Sequence, residues 1–155
     1  MIPIQRLNHA VLYVSDLERS VGFYTRVFGF TIVAREGRMA FLRAPGSDNH
    51  HDLGLLSVGK GAKAPEFPYT GLYHLAWQLP SIKDLEKALH VLVAEKAYTG
   101  ASDHGATKSL YGKDPDGNEF ELMVLLPRGE WGAYEHEAPI QPLDLAKELD
   151  RERRR

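Results

Sequence analysis

The sequence contains no cysteine among its 155 residues. Disulfide bonds and thiolate metal ligands are therefore excluded, so any metal site must be built from histidine and oxygen ligands. Also lacking is an apolar run of about 20 residues, the length that a membrane-spanning helix needs. No signal-peptide pattern follows Met1. We therefore expect a cytoplasmic protein that has no membrane partner.

An excess of charge of either sign is lacking too. The chain has 19 basic and 21 acidic residues and a formal net charge of -2. Neither a nucleic acid nor an anionic membrane is therefore an expected partner. The one basic stretch, residues 151–155, is typical of a solvated tail. The length is sufficient for one domain or two small modules with an apolar core.

The pattern of residues 1–59 predicts a strand, a helix and three further strands. Residues 7–14 form the first predicted strand. Ser15, with Glu18 three positions later, has the capping-box pattern of a helix start. Apolar residues then recur at helical spacing until Gly29, which is typical of a helix end. The extended segments that follow lie near 31–35, 39–43 and 52–58.

The same order of elements recurs after a linker, residues 60–71, that is rich in glycine, proline and lysine. A strand is predicted at 72–77, and a helix opens at Ser81 with Asp84 three positions on. Three extended segments follow, near 97–101, 107–113 and 119–126. We therefore predict an α+β fold in which two βαβββ modules form a curved mixed sheet around a metal cleft, with helices outside. The predicted parts are module one at 1–59, the linker at 60–71, module two at 72–127 and a C-terminal tail at 128–155.

Strong turn chemistry separates the last two extended segments. The run Asp114-Pro115-Asp116-Gly117-Asn118 predicts a β-hairpin centred near Asp116. Tyr111 and Glu121 lie five positions on either side of that centre, so they should face each other across the hairpin. A carboxylate in an otherwise apolar strand costs free energy unless a cation meets it. A bound metal ion would supply that cation.

Two histidines occupy equivalent positions in the repeat. His9 and His74 are each the third residue of similar strand segments, Leu7-Asn8-His9 and Leu72-Tyr73-His74. A lone strand histidine is more often a core residue than a ligand, and Glu121 alone could be an exposed strand residue. Two histidines and one carboxylate are, however, the ligand set of non-haem iron(II) sites. We therefore predict a metal site formed by His9, His74 and Glu121.

Three motifs make the chain resemble the vicinal oxygen chelate superfamily, which includes glyoxalase I, bleomycin-resistance proteins and type I extradiol dioxygenases. The resemblance covers about residues 5–127. It implies the superfamily fold and a single divalent metal. The motifs are Asn8-His9 followed by Val14-Ser15-Asp16-Leu17-Glu18-Arg19-Ser20 and Phe23-Tyr24, then Tyr73-His74, and finally the 114–118 turn leading into Glu121-Leu122.

Residues outside the ligand set resemble those of the single-domain type I extradiol (catechol 2,3-) dioxygenases. In that family a histidine just before a short apolar strand acts as acid/base on the catechol hydroxyl and bound oxygen. His51 is the better match to it, and His50 the second. His104 and Tyr111 resemble the histidine and tyrosine that flank the substrate in those enzymes.

This resemblance implies the cofactor, the reaction and the assembly. The metal would be Fe(II), with Mn, Ni or Zn as alternatives. The enzyme would insert both atoms of dioxygen into a catechol-like aromatic diol. The resemblance also implies a homodimer or higher homo-oligomer.

Other interpretations stay open. His51 could belong to a polar strand entrance, His104 to an ordinary loop, and Tyr111 could pack across the hairpin as a β-favouring aromatic residue. A glyoxalase-type lyase, isomerase or epimerase is one alternative function. Such an enzyme carries a fourth ligand near Asp52, whose side chain is shorter than that of the expected glutamate or glutamine. A non-catalytic protein of the bleomycin-resistance type, which lacks the metal ligands, is the other.

Overall fold

A computed structural model describes residues 1–154 of the chain. The chain divides into two compact units, Met1–Phe67 and Pro68–Arg155, and the division falls within the predicted linker 60–71. The last residue, Arg155, lies outside the described residues. None of the helices in 1–154 combines the length and the apolar character needed to cross a membrane.

The first unit is a βαβββ module with one mixed four-stranded sheet. The strand order is β1-β4-β3-β2, with β1 parallel to β4 and the other pairs antiparallel. The elements are β1 (Ala10–Val14), α1 (Leu17–Phe28), β2 (Thr31–Glu36), β3 (Met39–Arg43) and β4 (Leu53–Ser57). His9 therefore lies one residue before β1.

Helix α1 begins one residue later than the sequence pattern indicated. Asp16, in an extended conformation, accepts a hydrogen bond from the Arg19 N–H at 3.2 Å. The Ser15 hydroxyl instead accepts from the Arg19 guanidinium at 3.0 Å. The predicted Ser15 cap is thus wrong, because the neighbouring carboxylate takes the capping position. Gly29 ends the helix as predicted, at a positive φ of 69°.

The second unit repeats this plan. Its strand order is β5-β8-β7-β6, again with one parallel pair, β5 and β8. Ser81 caps α2 by accepting from the Asp84 N–H at 3.1 Å, so the helix start predicted at Ser81 is confirmed. The elements are β5 (His74–Gln78), α2 (Ile82–Ala94), β6 (Tyr98–Asp103), β7 (Thr107–Lys113) and β8 (Glu119–Leu125).

The predicted α+β fold class is confirmed, with one four-stranded mixed sheet per module and the helices outside. Buried apolar residues of the strands face the helices: Leu42, Leu53 and Leu55 in the first unit, and Leu110, Phe120 and Leu122 in the second. Even the irregularities recur, since β2 and β6 both shift register at corresponding places. The regular alternation of buried and half-buried residues leaves the opposite face of each sheet free for chemistry.

The C-terminal tail is more ordered than predicted. It contains two short 3₁₀ turns (Arg128–Glu130 and Gly132–Glu135) and helix α3 (Leu145–Arg153). The Glu152 carboxylate accepts hydrogen bonds from the first backbone N–H groups of α2, at 2.8 and 3.1 Å. The basic end is therefore partly docked rather than wholly solvated, because a carboxylate is stabilised at a helix N-terminus.

Candidate functional site

The β7–β8 hairpin places Tyr111 and Glu121 opposite each other, as predicted. The hairpin turn is closed by Asp114, whose buried carboxylate accepts from the backbone N–H groups of Asp116 and Asn118, each at 2.9 Å. Gly117 adopts the positive φ of 85° that this turn requires. The turn therefore sets the register that aligns the two side chains.

Glu121 meets His74 across the parallel β5–β8 pair. The His74 Nε2 and Glu121 Oε2 atoms lie 3.1 Å apart, and the two side chains are 24% and 12% exposed. Two atoms that bind one ion at right angles, each at about 2.1 Å, lie about 3.0 Å apart. The His74 Nδ1 atom is buried without a hydrogen-bond partner among the described residues. This pair therefore fits two adjacent ligand positions of a divalent metal.

His104 contacts Tyr111 next to that pair. The His104 Nε2 and Tyr111 hydroxyl oxygen are 2.7 Å apart, and His104 Nδ1 lies 2.8 Å from the Pro139 carbonyl oxygen. A carbonyl can only accept, so Nδ1 carries a proton and, in the neutral imidazole, Nε2 accepts from the Tyr111 O–H. Burial and, next, the Glu121 carboxylate raise the pKa of Tyr111.

The loop that carries His104 is folded around a buried lysine. Lys108, only 4% exposed at its side chain, donates to the Asp103 carboxylate and to the Gly105 carbonyl oxygen, the latter at 3.1 Å. Asp103 also accepts from the Gly105 N–H at 2.8 Å. A buried ammonium group needs hydrogen-bond acceptors, and the two acceptors of Lys108 lie on either side of His104, so the lysine helps to hold that residue in place.

One cleft of about 740 Å³ lies on the exposed face of the second sheet, and its lining includes His74, His104, Tyr111 and Glu121. A volume of this size is typical of a small-molecule site. Further walls come from β6, from the sheet end that carries Lys113 and Glu119, and from the tail residues Ala138 and Ile140. The predicted residues His74, His104, Tyr111 and Glu121 are therefore brought together in the second unit.

The first unit brings together His9, His50 and His51. The rings of His9 and His51 have centroids 4.5 Å apart, and Phe41 packs edge-on against His51 at 4.9 Å. The two Nδ1 atoms of His50 and His51 are 3.0 Å apart. Burial first, then the charges of His9 and His50, lowers the pKa of His51.

The side chain of His9 has a free ligand position. Its Nδ1 atom lies 2.9 Å from the Asn8 amide oxygen, which can only accept a hydrogen bond. The proton of a neutral imidazole is therefore on Nδ1, and Nε2 keeps its lone pair. Metal-binding histidines commonly use this arrangement, in which one ring nitrogen binds the metal and the other donates a hydrogen bond that fixes the ring.

Asp52, the possible fourth ligand, is committed to its own loop. Its carboxylate accepts from the Ala44 N–H, the Ser47 hydroxyl and the Asn49 amide, at 2.8, 2.7 and 2.8 Å. Burial acts to raise the pKa of Asp52, but these hydrogen bonds and Arg43 outweigh it, so its pKa is lowered. The strand position that corresponds to Glu121 is Gly54, which has no side chain to offer.

The three predicted metal ligands belong to two units, His9 to the first and His74 with Glu121 to the second, so the complete set stays a prediction. Taken singly, neither unit groups three histidine, aspartate or glutamate side chains around a metal position within residues 1–154. Sequence reasoning missed the contribution of Pro139 and Ile140. No sequence signal indicated it, because Pro139 lies 35 positions after His104 and reaches the cleft only when the tail folds back over the module.

Comparison with known proteins gives concordant results. The family model described as "Glyoxalase/Bleomycin resistance protein/Dioxygenase superfamily" matches residues 6–122. A catechol-2,3-dioxygenase of Bacillus subtilis (strain 168) is 38% identical over 126 residues, which are 81% of this chain and 43% of that protein. Biphenyl-2,3-diol 1,2-dioxygenase 3 of Rhodococcus globerulus is 34% identical over 121 residues, covering 77% of this chain and 63% of that protein.

The chain thus spans less than two thirds of the length of each of these two relatives. Among solved structures, a glyoxylase/bleomycin resistance protein/dioxygenase domain from Frankia sp. EAN1pec superposes with a TM-score of 0.68. It is 23% identical, and the superposition covers 81% of this chain and 95% of that one. At this identity the likeness concerns the fold alone.

Proposed function

Because the chain belongs to the Glyoxalase/Bleomycin resistance protein/Dioxygenase superfamily, we propose that it is a metal-dependent extradiol dioxygenase acting on a catechol-like diol. The observation that carries this proposal is the second-unit cleft. There the proposed metal ligands His74 and Glu121, 3.1 Å apart, line the same cleft as the hydrogen-bonded pair Tyr111 and His104. The similarity to two ring-diol dioxygenases supports the same reaction class.

We propose His9, His74 and Glu121 as ligands of one Fe(II) ion, with Mn, Ni or Zn as alternatives. Two neutral imidazoles and one carboxylate leave net positive charge and open positions on such an ion. When bound, the metal would favour the ionised diol and bring dioxygen beside it. The free Nε2 of His9 and the 3.1 Å spacing of the other two donors suit this role.

Tyr111 and His104 would orient the substrate. Tyr111 faces Glu121 across the hairpin and lines the same cleft, so its hydroxyl would be available to a diol oxygen held near that carboxylate. Its proton is directed toward His104 Nε2, whose lone pair is kept available by the Pro139 carbonyl. Donors and acceptors fixed in this way need no reorganisation as charge develops on the substrate.

His51 would act as the acid/base. It packs against His9, the proposed ligand of its own unit, and is only half-buried, so a substrate can reach it. Catechol and dioxygen together contain all the atoms of the ring-opened hydroxy-semialdehyde product, so no external reductant is required. The task of His51 is to accept a diol proton and return it later in the reaction.

The glyoxalase-type alternative lacks support at the fourth ligand. Asp52 is held by three hydrogen bonds within its loop, and Gly54 stands where β8 carries Glu121. The bleomycin-resistance type of binding protein is disfavoured by the retained His9, His74 and Glu121. A homo-oligomeric state and a cytoplasmic location stay predictions.

The test is a dioxygen-uptake screen. Protein loaded anaerobically with Fe(II) should consume one dioxygen per molecule of catechol or simple substituted catechol, and both atoms of labelled dioxygen should appear in the product. Glu121→Ala protein, loaded in the same way, is the control without activity. Metal-loaded protein that consumes no dioxygen with any catechol, yet isomerises a hemithioacetal, would establish the glyoxalase-type alternative instead.

A further inference from the structure

The C-terminal tail contributes a wall to the cleft, although it lies beyond the matched family region, residues 6–122. Ala138 and Ile140 line the cleft together with His104 and Tyr111. Both tail residues are apolar, whereas the opposite end of the same strand, β7, carries Lys113 next to Glu119. The tail therefore adds apolar surface to the cleft at the end away from Lys113 and Glu119.

Ile140 is held in place from both sides. Before it, the Pro139 carbonyl oxygen lies 2.8 Å from His104 Nδ1. After it, Gln141 exchanges two backbone hydrogen bonds with Asp103, at 2.8 and 3.0 Å. A residue between two hydrogen-bonded neighbours has little backbone freedom, so the position of Ile140 is set by the loop that carries His104.

That loop is itself tightly packed against the tail. The ring of Tyr134 covers Gly105 so closely that a Cβ atom added there would lie 2.4 Å from the ring. Further along, the Glu152 carboxylate of α3 accepts hydrogen bonds from the first backbone N–H groups of α2, at 2.8 and 3.1 Å. The tail is thus anchored before and after residues 138–141, and these residues form a fixed wall.

Ile140 is nevertheless 81% exposed. An anchored, exposed apolar side chain in a cleft gains free energy when an apolar group of a ligand covers it. The ammonium group of Lys113 lies at the far end of β7, six residues from Thr107. His104 is at the tail end, but both of its ring nitrogens already have partners, the Pro139 carbonyl oxygen and the Tyr111 hydroxyl. This end therefore suits a hydrocarbon substituent rather than a carboxylate.

We propose that Ile140 is a specificity-determining residue that favours diols whose ring carries an alkyl or aryl substituent. The proposal rests on the proposed function, because it assumes a diol held beside Glu121 and Tyr111. The substituent would extend along β7 toward the tail and cover Ile140. Its burial, rather than any change in the chemistry, would produce the preference.

The experiment compares Ile140→Ala with Ile4→Ala. Ile4 is the matched control, because it is 78% exposed, belongs to the other unit and does not line the cleft. The probes are catechol, methylcatechol and phenylcatechol. Ile140→Ala should lower the preference for phenylcatechol over catechol about three- to tenfold, less than a fully enclosed apolar contact would give, and mainly through KM. Ile4→Ala should leave the preference unchanged.

Anaerobic titration of the Fe(II) protein with the same diols gives a readout besides turnover. A Kd ratio that favours phenylcatechol in the unaltered protein and is lost in Ile140→Ala supports the proposal, even if no diol were cleaved; the proposed function alone would then fail. An unchanged ratio in Ile140→Ala overturns the proposal. An equal loss for all three diols also overturns it, because Ile140 would then act on His104 rather than on the substituent.

Discussion

The two modules have the same backbone plan and different side chains at equivalent positions. In module two, Tyr111 faces Glu121 across the antiparallel pair; in module one, the corresponding pair is Phe41 and Gly54. His9 and His74 correspond as well, each preceding or opening the first strand. The modules therefore share one histidine position, and only the second keeps a carboxylate and a phenol beside it.

This difference shows how a repeat can keep its fold while its chemistry changes. The buried face needs a continuous apolar layer, which both modules supply, whereas the opposite face makes no contribution to that layer. Module two can therefore carry Glu121 where module one has Gly54, and Tyr111 where module one has Phe41, without a change in strand register. A functional site can form on one module while its counterpart retains only part of the set.

The buried faces also differ in how they fill their volume. Leu42 and Leu53 are fully buried in module one. The corresponding residues in module two are Gly112 and Phe120, so a small and a large residue replace two of intermediate size. Interiors are closely packed, so such an exchange must be compensated across the strand pair.

The largest expected effect concerns the carboxylate that only module two carries. Glu121→Ala should lower the metal affinity by about a hundredfold or more. Even the loss of a residue that only hydrogen-bonds to a metal ligand lowers metal affinity by about 10- to 100-fold. Elemental analysis and a metal titration would measure it. Glu119→Ala, two residues away on the same face of β8, is the matched control and should retain the metal. Equal metal contents in the two variants would refute the site.

The next effect concerns the residue two positions before the last strand of module one, His51, and its counterpart in module two, Asn118. His51→Gln should keep fold and metal while turnover falls by about a hundred- to ten-thousandfold, as expected for a lost acid/base. Asn118 holds the corresponding place in module two, and its amide donates to Asp114 at 2.9 Å. Asn118→Ala should instead lower the free energy of unfolding by about 0.5–1.5 kcal/mol. Thermal melts and steady-state kinetics on both variants would test the contrast.

His50→Ala is the neighbouring control and should have a much smaller effect on turnover. The reason is position rather than strand alternation, because β4 begins only at Leu53 and both histidines precede it. His51 packs between His9 and Phe41, whereas His50 is exposed. If His50 were the sensitive residue and His51 silent, the acid/base role would have to move to His50.

The last effect concerns packing on the buried face and no residue of the candidate site. A Cβ atom at Gly112 would lie 2.5 Å from the Phe120 ring and 2.8 Å from the Ala97 carbonyl oxygen, so Gly112→Ala should destabilise the protein by about 1–3 kcal/mol. Phe120→Leu should reduce that cost in the double variant, because it restores part of the module-one arrangement. Gly46→Ala, which meets no atom within 4 Å, is the control. Denaturant unfolding of the single and double variants would measure these free energies. Strictly additive effects would show that the two residues are independent and would contradict the prediction.

Much of the fold followed from local patterns. The hairpin turn, the Ser81 cap and the helix end at Gly29 each depend on residues within a few positions of one another, and each was predicted. The Ser15 cap was not, because Ser15 and Asp16 are both good caps and the hydrogen bond of Arg19 decides between them. Local rules do not choose between adjacent residues of similar propensity.

The sequence by itself determined the repeat, the register of Tyr111 with Glu121, and the equivalence of His9 and His74, because alternation and turn chemistry act along the chain. Only the tertiary structure decided that His74 meets Glu121 at 3.1 Å, that Asp52 is occupied within its loop, and that Pro139 and Ile140 reach the cleft. These contacts join residues far apart in sequence. Their formation depends on side-chain packing and hydrogen bonding between elements, which no local pattern records.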